Sequence, residues 1–363
     1  MKKKRFICIF PPGENIHLLK DVGMIPYHLS KINKYQSSIS FYEDEKLLPS
    51  LKDRLSGVKY HRLRRIFKND LLNQFVFLLL HFKRYDVVMM FHPSTFKLLI
   101  ALLIKIISLN RLKFYFKMDL SSQTVIPTKE EINYRFRLFR WLSSKMDMIS
   151  VETKDVTEKI NSLGGLHVSY ITNGFNQFER VDLVKENIFL TVGRLGTKQK
   201  NTERLLNAYQ IANPKNYKLY LIGPVKPEFE NYIKNYFIVN PHLIEKVRFL
   251  GSIHDNHELA SYYSISRVFM LPSRWEGFPL VYPEAIAHGC YIVGSEFPAT
   301  IDISGDGRFG KICGMESVED LADIMYRIDR GEIFLPAPED IQDFAFNNFR
   351  WDDIVGRIDK NLS

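Results

Sequence analysis

The feature that most constrains the fold is a rhythm. Short β-rich runs alternate with helical patterns along almost all of the 363 residues. Arg5–Phe10, Ser38–Tyr42, Asp86–Met90, Leu112–Lys117 and Asp147–Glu152 read as strands. Helical stretches fall near Met24–Lys34, Ser94–Leu109 and Thr153–Leu163, the last stopped by Gly164-Gly165. Strand–helix–strand order calls for crossovers between parallel strands, so a parallel sheet with helices on both faces is expected. Asn173-Gly174 is then a turn signal, and residues 174–187 are polar and irregular. The rhythm restarts with strands at Ile188–Val192, Lys218–Ile222, Val247–Leu250, Val268–Leu271 and Tyr291–Val293. This is an α/β chain of two Rossmann-like, doubly wound parallel-sheet domains. The first spans 1–173 and the second 174–348, with a final helix at about 349–363 expected to pack back on the first.

Composition narrows the classes. Hydrophobic residues make up 45% and charged residues 25%, which excludes a disordered or fibrous chain. Cys8, Cys290 and Cys313 are far apart and odd in number, so neither a disulfide framework nor a zinc spacing is visible. That usage fits a reducing cytoplasm. Lys2–Arg5 imitates the start of a secretory signal, but the apolar run Phe6–Phe10 stops at Pro11-Pro12-Gly13, short of the roughly 7–15 residues required. The longest apolar stretch lies between Lys97 and Leu109 and contains Lys105, whereas a membrane span needs about 18 or more apolar residues. Neither export by this route nor a membrane span is expected.

Charge is unevenly placed. Residues 1–180 hold 30 Lys and Arg against 16 Asp and Glu, a net of +14. Residues 181–363 hold 20 against 25, a net of −5. The asymmetry points the first half at an anionic partner, nucleic acid or an anionic membrane surface. No nucleic-acid-binding module supports the first. The basic run Arg62, Arg64, Arg65 and Lys68, followed by the Leu- and Phe-rich Leu71–Arg84, suits the second.

Open parallel sheets bind ligands beyond the carboxyl ends of their strands. Strand Ile188–Val192 runs there into Gly193-Arg194-Leu195-Gly196-Thr197-Lys198-Gln199-Lys200. Its glycines allow close backbone approach, and Arg194 and Lys200 can face one diphosphate. Asn201 or Thr202 can cap the helix that follows. The spacing of a Walker A loop is absent. After strand Val268–Leu271 comes Pro272-Ser273-Arg274-Trp275-Glu276-Gly277-Phe278-Pro279-Leu280-Val281-Tyr282-Pro283-Glu284. Proline is tolerated only in a helix's first turn, so Pro283 sets the helix start between about Pro279 and Tyr282, and Gly289 its stop. Glu276 is then in the loop and Glu284 near the first turn. Backbone N–H groups of Phe278, Leu280 and Val281 are available to an anion, and two carboxylates flank them. N–H groups for phosphate and carboxylates for hydroxyls suit a phosphorylated sugar ligand.

These residues resemble the signature of family 4 retaining glycosyltransferases of the GT-B fold, in which two domains face each other across a cleft. Glu276 and Glu284, eight positions apart, match the family's paired glutamates, with Gly277, Phe278, Pro279, Leu280 and Ala285 around them. Gly193-Arg194-Leu195 followed by Lys200 matches as well. The resemblance is close over about 170–315 and loose over the first half. It implies a nucleotide-sugar donor, UDP-linked by family frequency, held without a metal or other cofactor. It gives Arg194 and Lys200 the diphosphate, Glu284 the ribose hydroxyls, and Glu276 with Gly277, Phe278, Leu280 and Val281 the transferred sugar. Relatives carry a His at the end of a first-domain strand; here the aligned segment is Phe114–Asp119, with Lys117 in the His position and Asp119 kept. His92 competes for that role. The implied acceptor is a glycan or lipid-linked saccharide, the implied place the cytoplasm, peripherally at the inner membrane face. A nucleotide-sugar epimerase and a non-catalytic partner subunit are the alternatives.

Overall fold

A computed structural model describes residues 3–12, 15–32, 34–42, 55–120, 124, 126–128, 131, 133–176, 178 and 184–363. Parts of two segments singled out above, Gly13-Glu14 in the first loop and residues 177 and 179–183 after Gly174, lie outside them. The chain forms two compact units, one holding the chain up to Asn173 together with Trp351–Ser363, the other holding Gly174–Arg350.

Among the described residues, the first unit is built on seven parallel strands: β1 (Lys4–Ile9), β2 (Tyr35–Tyr42), β3 (Lys59–Leu63), β4 (Val87–Phe91), β5 (Lys113–Lys117), β6 (Met148–Val151) and β7 (Ser169–Tyr170), in the order β3-β2-β1-β4-β5-β6-β7. The second has six: β8 (Glu186–Val192), β9 (Lys218–Ile222), β10 (Val247–Gly251), β11 (Ser266–Leu271), β12 (Tyr291–Ser295) and β13 (Gly310–Cys313), in the order β10-β9-β8-β11-β12-β13. All ten strands read from the sequence are present. The three missed, β3, β7 and β13, are sheet-edge strands. An edge strand is short and keeps polar residues, so its apolar signal is weak. Thus Arg62, read as part of a basic run, sits on β3, whose sequence is Lys-Tyr-His-Arg-Leu.

Central strands are apolar on both faces because helices cover both, and β4, Val-Val-Met-Met-Phe, is buried throughout. One face of the first sheet packs on helices Asp21–Lys31 and Trp351–Leu362 around Met24, Ile25, Leu29, Trp351, Ile354 and Ile358. The other packs on Asp70–His81, Thr95–Ile107, Tyr134–Ser143 and Lys154–Ser162 through Leu78, Leu98, Ala101, Ile104, Leu142 and Ile160. The first long helix starts at Asp21 rather than near Met24 and ends at Lys31. The terminal helix is fastened by polar contacts: the Tyr35 hydroxyl donates to Asp359 at 2.8 Å, Lys34 pairs with the same carboxylate at 2.9 Å, and His28 meets Asp352 at 2.6 Å. It is preceded by a separate helix, Pro338–Asn348, in the second unit.

Candidate active site

Both sheets share a topological consequence. In the second unit the chain runs outward from β8 through β9 to β10, then returns to place β11 on the other side of β8. The loops after β8 and β11 therefore diverge from neighbouring strands, which opens a crevice at their carboxyl ends. Those two loops carry Arg194, Lys200 and Glu276, and Glu284 lies in the helix that follows the second.

The loop after β8 folds tightly. Gly196 has φ 75°, and a Cβ there would lie 2.3 Å from Phe229 Cβ, so only glycine fits. At Gly193 an added Cβ would sit 3.2 Å from Lys200 Cε, so the missing side chain leaves room for the lysine to cross the strand end. Thr197 Oγ1 donates to the Arg194 carbonyl at 3.0 Å and accepts from the Lys200 N–H at 3.2 Å. The helix Thr202–Ala212 begins at Asn201, which adopts a left-handed φ of 51°. Neither residue expected to cap it does so. Asn201 makes no side-chain cap, and Thr202 Oγ1 instead accepts from the Gly196 N–H at 2.9 Å.

The second loop is stitched to the first. The Arg274 N–H donates to the Gln199 carbonyl at 2.8 Å, and its guanidinium reaches the Lys198 carbonyl at 2.9 Å and Glu316 at 2.9 Å. At the centre Lys200 Nζ meets Glu276 Oε1 at 2.6 Å, with Lys200 15% and Glu276 8% exposed. Gln199 joins the remaining partners: its amide nitrogen donates to Glu276 Oε2 at 3.3 Å and to the Trp275 carbonyl at 3.0 Å, and its oxygen accepts from Arg194 at 3.0 Å. Arg194 is otherwise exposed. Two cations and a carboxylate thus stand in one hydrogen-bonded row. Sequence reasoning passed over Gln199, although its place between Arg194 and Lys200 was the available signal.

The helix after this loop spans Val281–Ala287, inside the limits set by Pro283 and Gly289, with Leu280 as an N-cap that makes no side-chain bond. Gly277, Phe278 and Leu280 lead into it, and Val281 is its first residue. Glu284 lies in its first turn and accepts from the Tyr263 hydroxyl at 3.1 Å. Burial by the surrounding protein pushes its carboxyl up to about 7, against the opposing effect of that hydrogen bond. Tyr263 comes from the helix Asn256–Ile265, and nothing in its local sequence marked it.

In the first unit the switch lies between β1 and β4, and His92 follows β4 directly with φ 51°. It is exposed, and its N–H donates to the Lys117 carbonyl at 2.9 Å. Lys117 requires a correction. Placed by the resemblance in the position of the relatives' His, it has no exposed surface from which to touch a substrate. Its Nζ donates to Glu152 at 2.9 Å and to the Ile171 carbonyl at 3.3 Å, and stands 3.5 Å from Asp21. Burial works against the ammonium, but Glu152 and Asp21 outweigh it and raise its pKa above the ordinary lysine value. Lys117 is therefore an internal counter-ion. Asp119, two residues on, is exposed and acts electrostatically on His92. Among the described residues, no cluster of three or more His, Cys, Asp or Glu side chains is placed to hold a metal ion.

The family that matches residues 175–341 is described as glycosyl transferases group 1. Residues 175–341, a little under half of the chain, are the segment that matches that family. Arg194, Lys200, Glu276 and Glu284 all fall inside it. The chain is 31% identical over 193 residues to a 41.2 kDa protein of the cps region of Klebsiella pneumoniae, covering 50% of each. It is 34% identical over 125 residues to the amylovoran biosynthesis glycosyltransferase AmsD of Erwinia amylovora, covering 34% of this chain and 33% of that protein. The chain thus spans about half, or a third, of the length of these curated relatives. Among solved structures, Alr3699/HepE of Anabaena in complex with UDP and glucose superposes with a TM-score of 0.68 at 16% identity, covering 99% of both chains. The fold of both units is that of GT-B glycosyltransferases.

Proposed function

We propose that the protein is a glycosyltransferase that moves a sugar from a UDP-linked donor to a glycan or lipid-linked saccharide in cell-surface polysaccharide synthesis. The observation that carries this reading is the row Arg194–Gln199–Glu276–Lys200 at the switch point of the second unit. Lys200 and Arg194 offer a point charge and a planar fork to a diphosphate. When the diphosphate takes Lys200, Glu276 is released to accept from the hydroxyls of the donor sugar. Glu284, as a carboxylate, accepts from the ribose hydroxyls.

In the transfer step the bond from the anomeric carbon to the diphosphate oxygen breaks, and the electron pair leaves with the diphosphate. The acceptor oxygen bonds to that carbon on the same face, and its proton passes to the departing phosphate, so configuration is retained. Arg194 and Lys200 stabilise the growing negative charge, which is the role a divalent cation plays in metal-dependent transferases. His92 follows β4 at the other switch point and Asp119 follows β5 beside it, in the first unit, which we assign to the acceptor. The relatives support the setting, since one is named for amylovoran biosynthesis and the other for a cps region. No helix among the described residues is long and apolar enough to cross a membrane. We place the protein in the cytoplasm, peripherally at the inner membrane face, because a lipid-linked acceptor is confined there and the first 180 residues are net basic.

The test is binding followed by turnover. Calorimetry should show UDP binding that Lys200→Ala and Arg194→Ala each weaken at least tenfold. A panel of labelled UDP-sugars should then be consumed only when an acceptor is supplied. Turnover with no acceptor would indicate an epimerase, and no UDP binding at all would refute the donor assignment.

A further inference from the structure

The helices covering one face of the first sheet present an apolar outer surface. Helix Thr95–Ile107 buries Leu98, Ala101 and Ile104 against the sheet, as an amphipathic helix should. Its opposite side is not polar. Phe96 is 54% exposed, Leu99 41%, Leu103 45%, Ile106 59% and Ile107 53%. At about 100° per residue these five positions fall within an arc of about 100°, so they form one continuous stripe. The helix's two lysines are turned away from it. Lys97 donates to the Phe91 carbonyl at 2.6 Å, and Lys105 pairs with Asp147 at 2.6 Å.

The stripe continues sideways. The helix touches Asp70–His81 on one side and Tyr134–Ser143 on the other. The first adds Leu80, 70% exposed, and the second adds Leu138 at 43% and Trp141 at 52%. Exposed apolar residues of the second unit are instead scattered over separate elements. A contiguous patch on a soluble domain marks an interaction surface.

Charge identifies what covers it. Arg135, Arg137 and Lys145 are exposed on and just beyond the helix carrying Trp141, and Lys83 and Arg84 follow the one carrying Leu80. Beside Leu80 lies a cavity of about 330 Å³ whose lining includes Arg62, Arg64 and His81. The only acidic residue within the three helices is Asp70, at the first position of its helix and engaged by the Tyr42 hydroxyl at 2.6 Å. An apolar centre, a tryptophan and a cationic margin match the cross-section of an anionic bilayer surface, where acyl chains lie beneath negative headgroups. Thirteen helical residues reach only about 20 Å, too short to span the roughly 30 Å hydrocarbon core, so the contact lies in the interface.

We propose that the outer face of helices Asp70–His81, Thr95–Ile107 and Tyr134–Ser143 docks the first unit on an anionic lipid bilayer. Phe96, Leu99, Leu103, Ile106 and Trp141 enter the headgroup boundary, and the arginines and lysines hold lipid phosphates. This deepens the peripheral placement proposed above and relocates its centre. The basic run near Arg62–Lys68 supplies the margin, and the middle helix supplies the apolar contact.

The full chain should float with vesicles of phosphatidylcholine containing about 30% phosphatidylglycerol, and not with phosphatidylcholine alone. Brominated acyl chains should quench its fluorescence, and Trp141→Phe should remove that quenching. The triple variant Leu99→Glu, Leu103→Glu, Ile106→Glu alters only exposed positions, so its circular dichroism should be unchanged. Its vesicle-bound fraction should fall at least tenfold. Equal flotation of triple variant and wild type, or none with either, overturns the proposal. So does a concentration-dependent dimer that the triple variant dissolves without any vesicle binding, since the face would then belong to a second copy. UDP binding, measured on both proteins, separates the two readings: its absence defeats the donor site and leaves the bilayer surface standing.

Discussion

Replacing Lys117 with methionine tests whether that residue is an internal counter-ion or a substrate contact. Methionine keeps the length and apolar stem but removes the charge. In the native structure the ammonium lies 2.9 Å from Glu152 and 3.5 Å from Asp21. At an effective dielectric constant of about 20, these attractions are worth about 6 and about 5 kcal/mol before desolvation. Burying the three groups consumes most of that gain. Removing one partner of a buried pair nevertheless costs about 3–5 kcal/mol, because the carboxylates stay behind unpaired. That is a large share of a typical stability of about 5–15 kcal/mol.

The loss should depend on pH, with a definite sign. Burial already raises Glu152, to about 8, and Asp21 above their ordinary values, and Lys117 opposes both shifts. Without Lys117 they rise further. A carboxyl raised in the folded state costs nothing below its unfolded pKa, and its cost grows as pH rises through the folded value. Because Glu152 of the wild type already titrates at about 8, the extra loss in Lys117→Met should be smallest near pH 5 and grow as pH rises past about 8, to be largest near about pH 9.5. Urea unfolding of wild type and variant at both pH values measures it. A loss under about 1 kcal/mol, or one equal at the two pH values, would refute the counter-ion argument. UDP affinity of the folded variant should match wild type, since the donor residues belong to the other unit.

Glu276→Gln should reduce transfer at least a hundredfold while the protein stays folded, and a steady-state assay showing near-native turnover would remove Glu276 from the site. Wild-type stability should decline as pH rises through about 7, where Glu284 ionises, and Glu284→Gln should flatten that slope in thermal unfolding. The same ionisation governs ribose recognition, so the affinity ratio of wild type to Glu284→Gln for UDP should narrow as pH falls from about 8 to about 6. Transfer should persist in excess chelator; activity abolished by chelator and restored by magnesium would contradict charge stabilisation by Arg194 and Lys200 alone. Gly196→Ala should destabilise the donor unit by about 1–3 kcal/mol, because φ 75° and the contact with Phe229 both exclude a Cβ.

The order of apolar runs alone specified two doubly wound sheets, because most central strands are buried on both faces and so write their positions into the chain as apolar blocks, although β2 is buried with three serines in it. Edge strands β3, β7 and β13 escaped for the converse reason. The segments proposed to hold the donor also stood out, since Gly193, Gly196, Arg194, Lys200, Glu276 and Glu284 cluster within two short stretches that the structure brings together. What no linear reading supplied was which distant residues meet. Tyr263 reaches Glu284 from a different helix, and Glu152 and Asp21 close around Lys117 from different parts of the chain. An ammonium beside a strand end looks the same in sequence whether it faces substrate or two buried carboxylates. The outer stripe of helix Thr95–Ile107 was hidden likewise, because a run of apolar residues does not say which side the sheet covers. Only tertiary packing, by burying Leu98, Ala101 and Ile104, left Phe96, Leu99, Leu103, Ile106 and Ile107 facing outward.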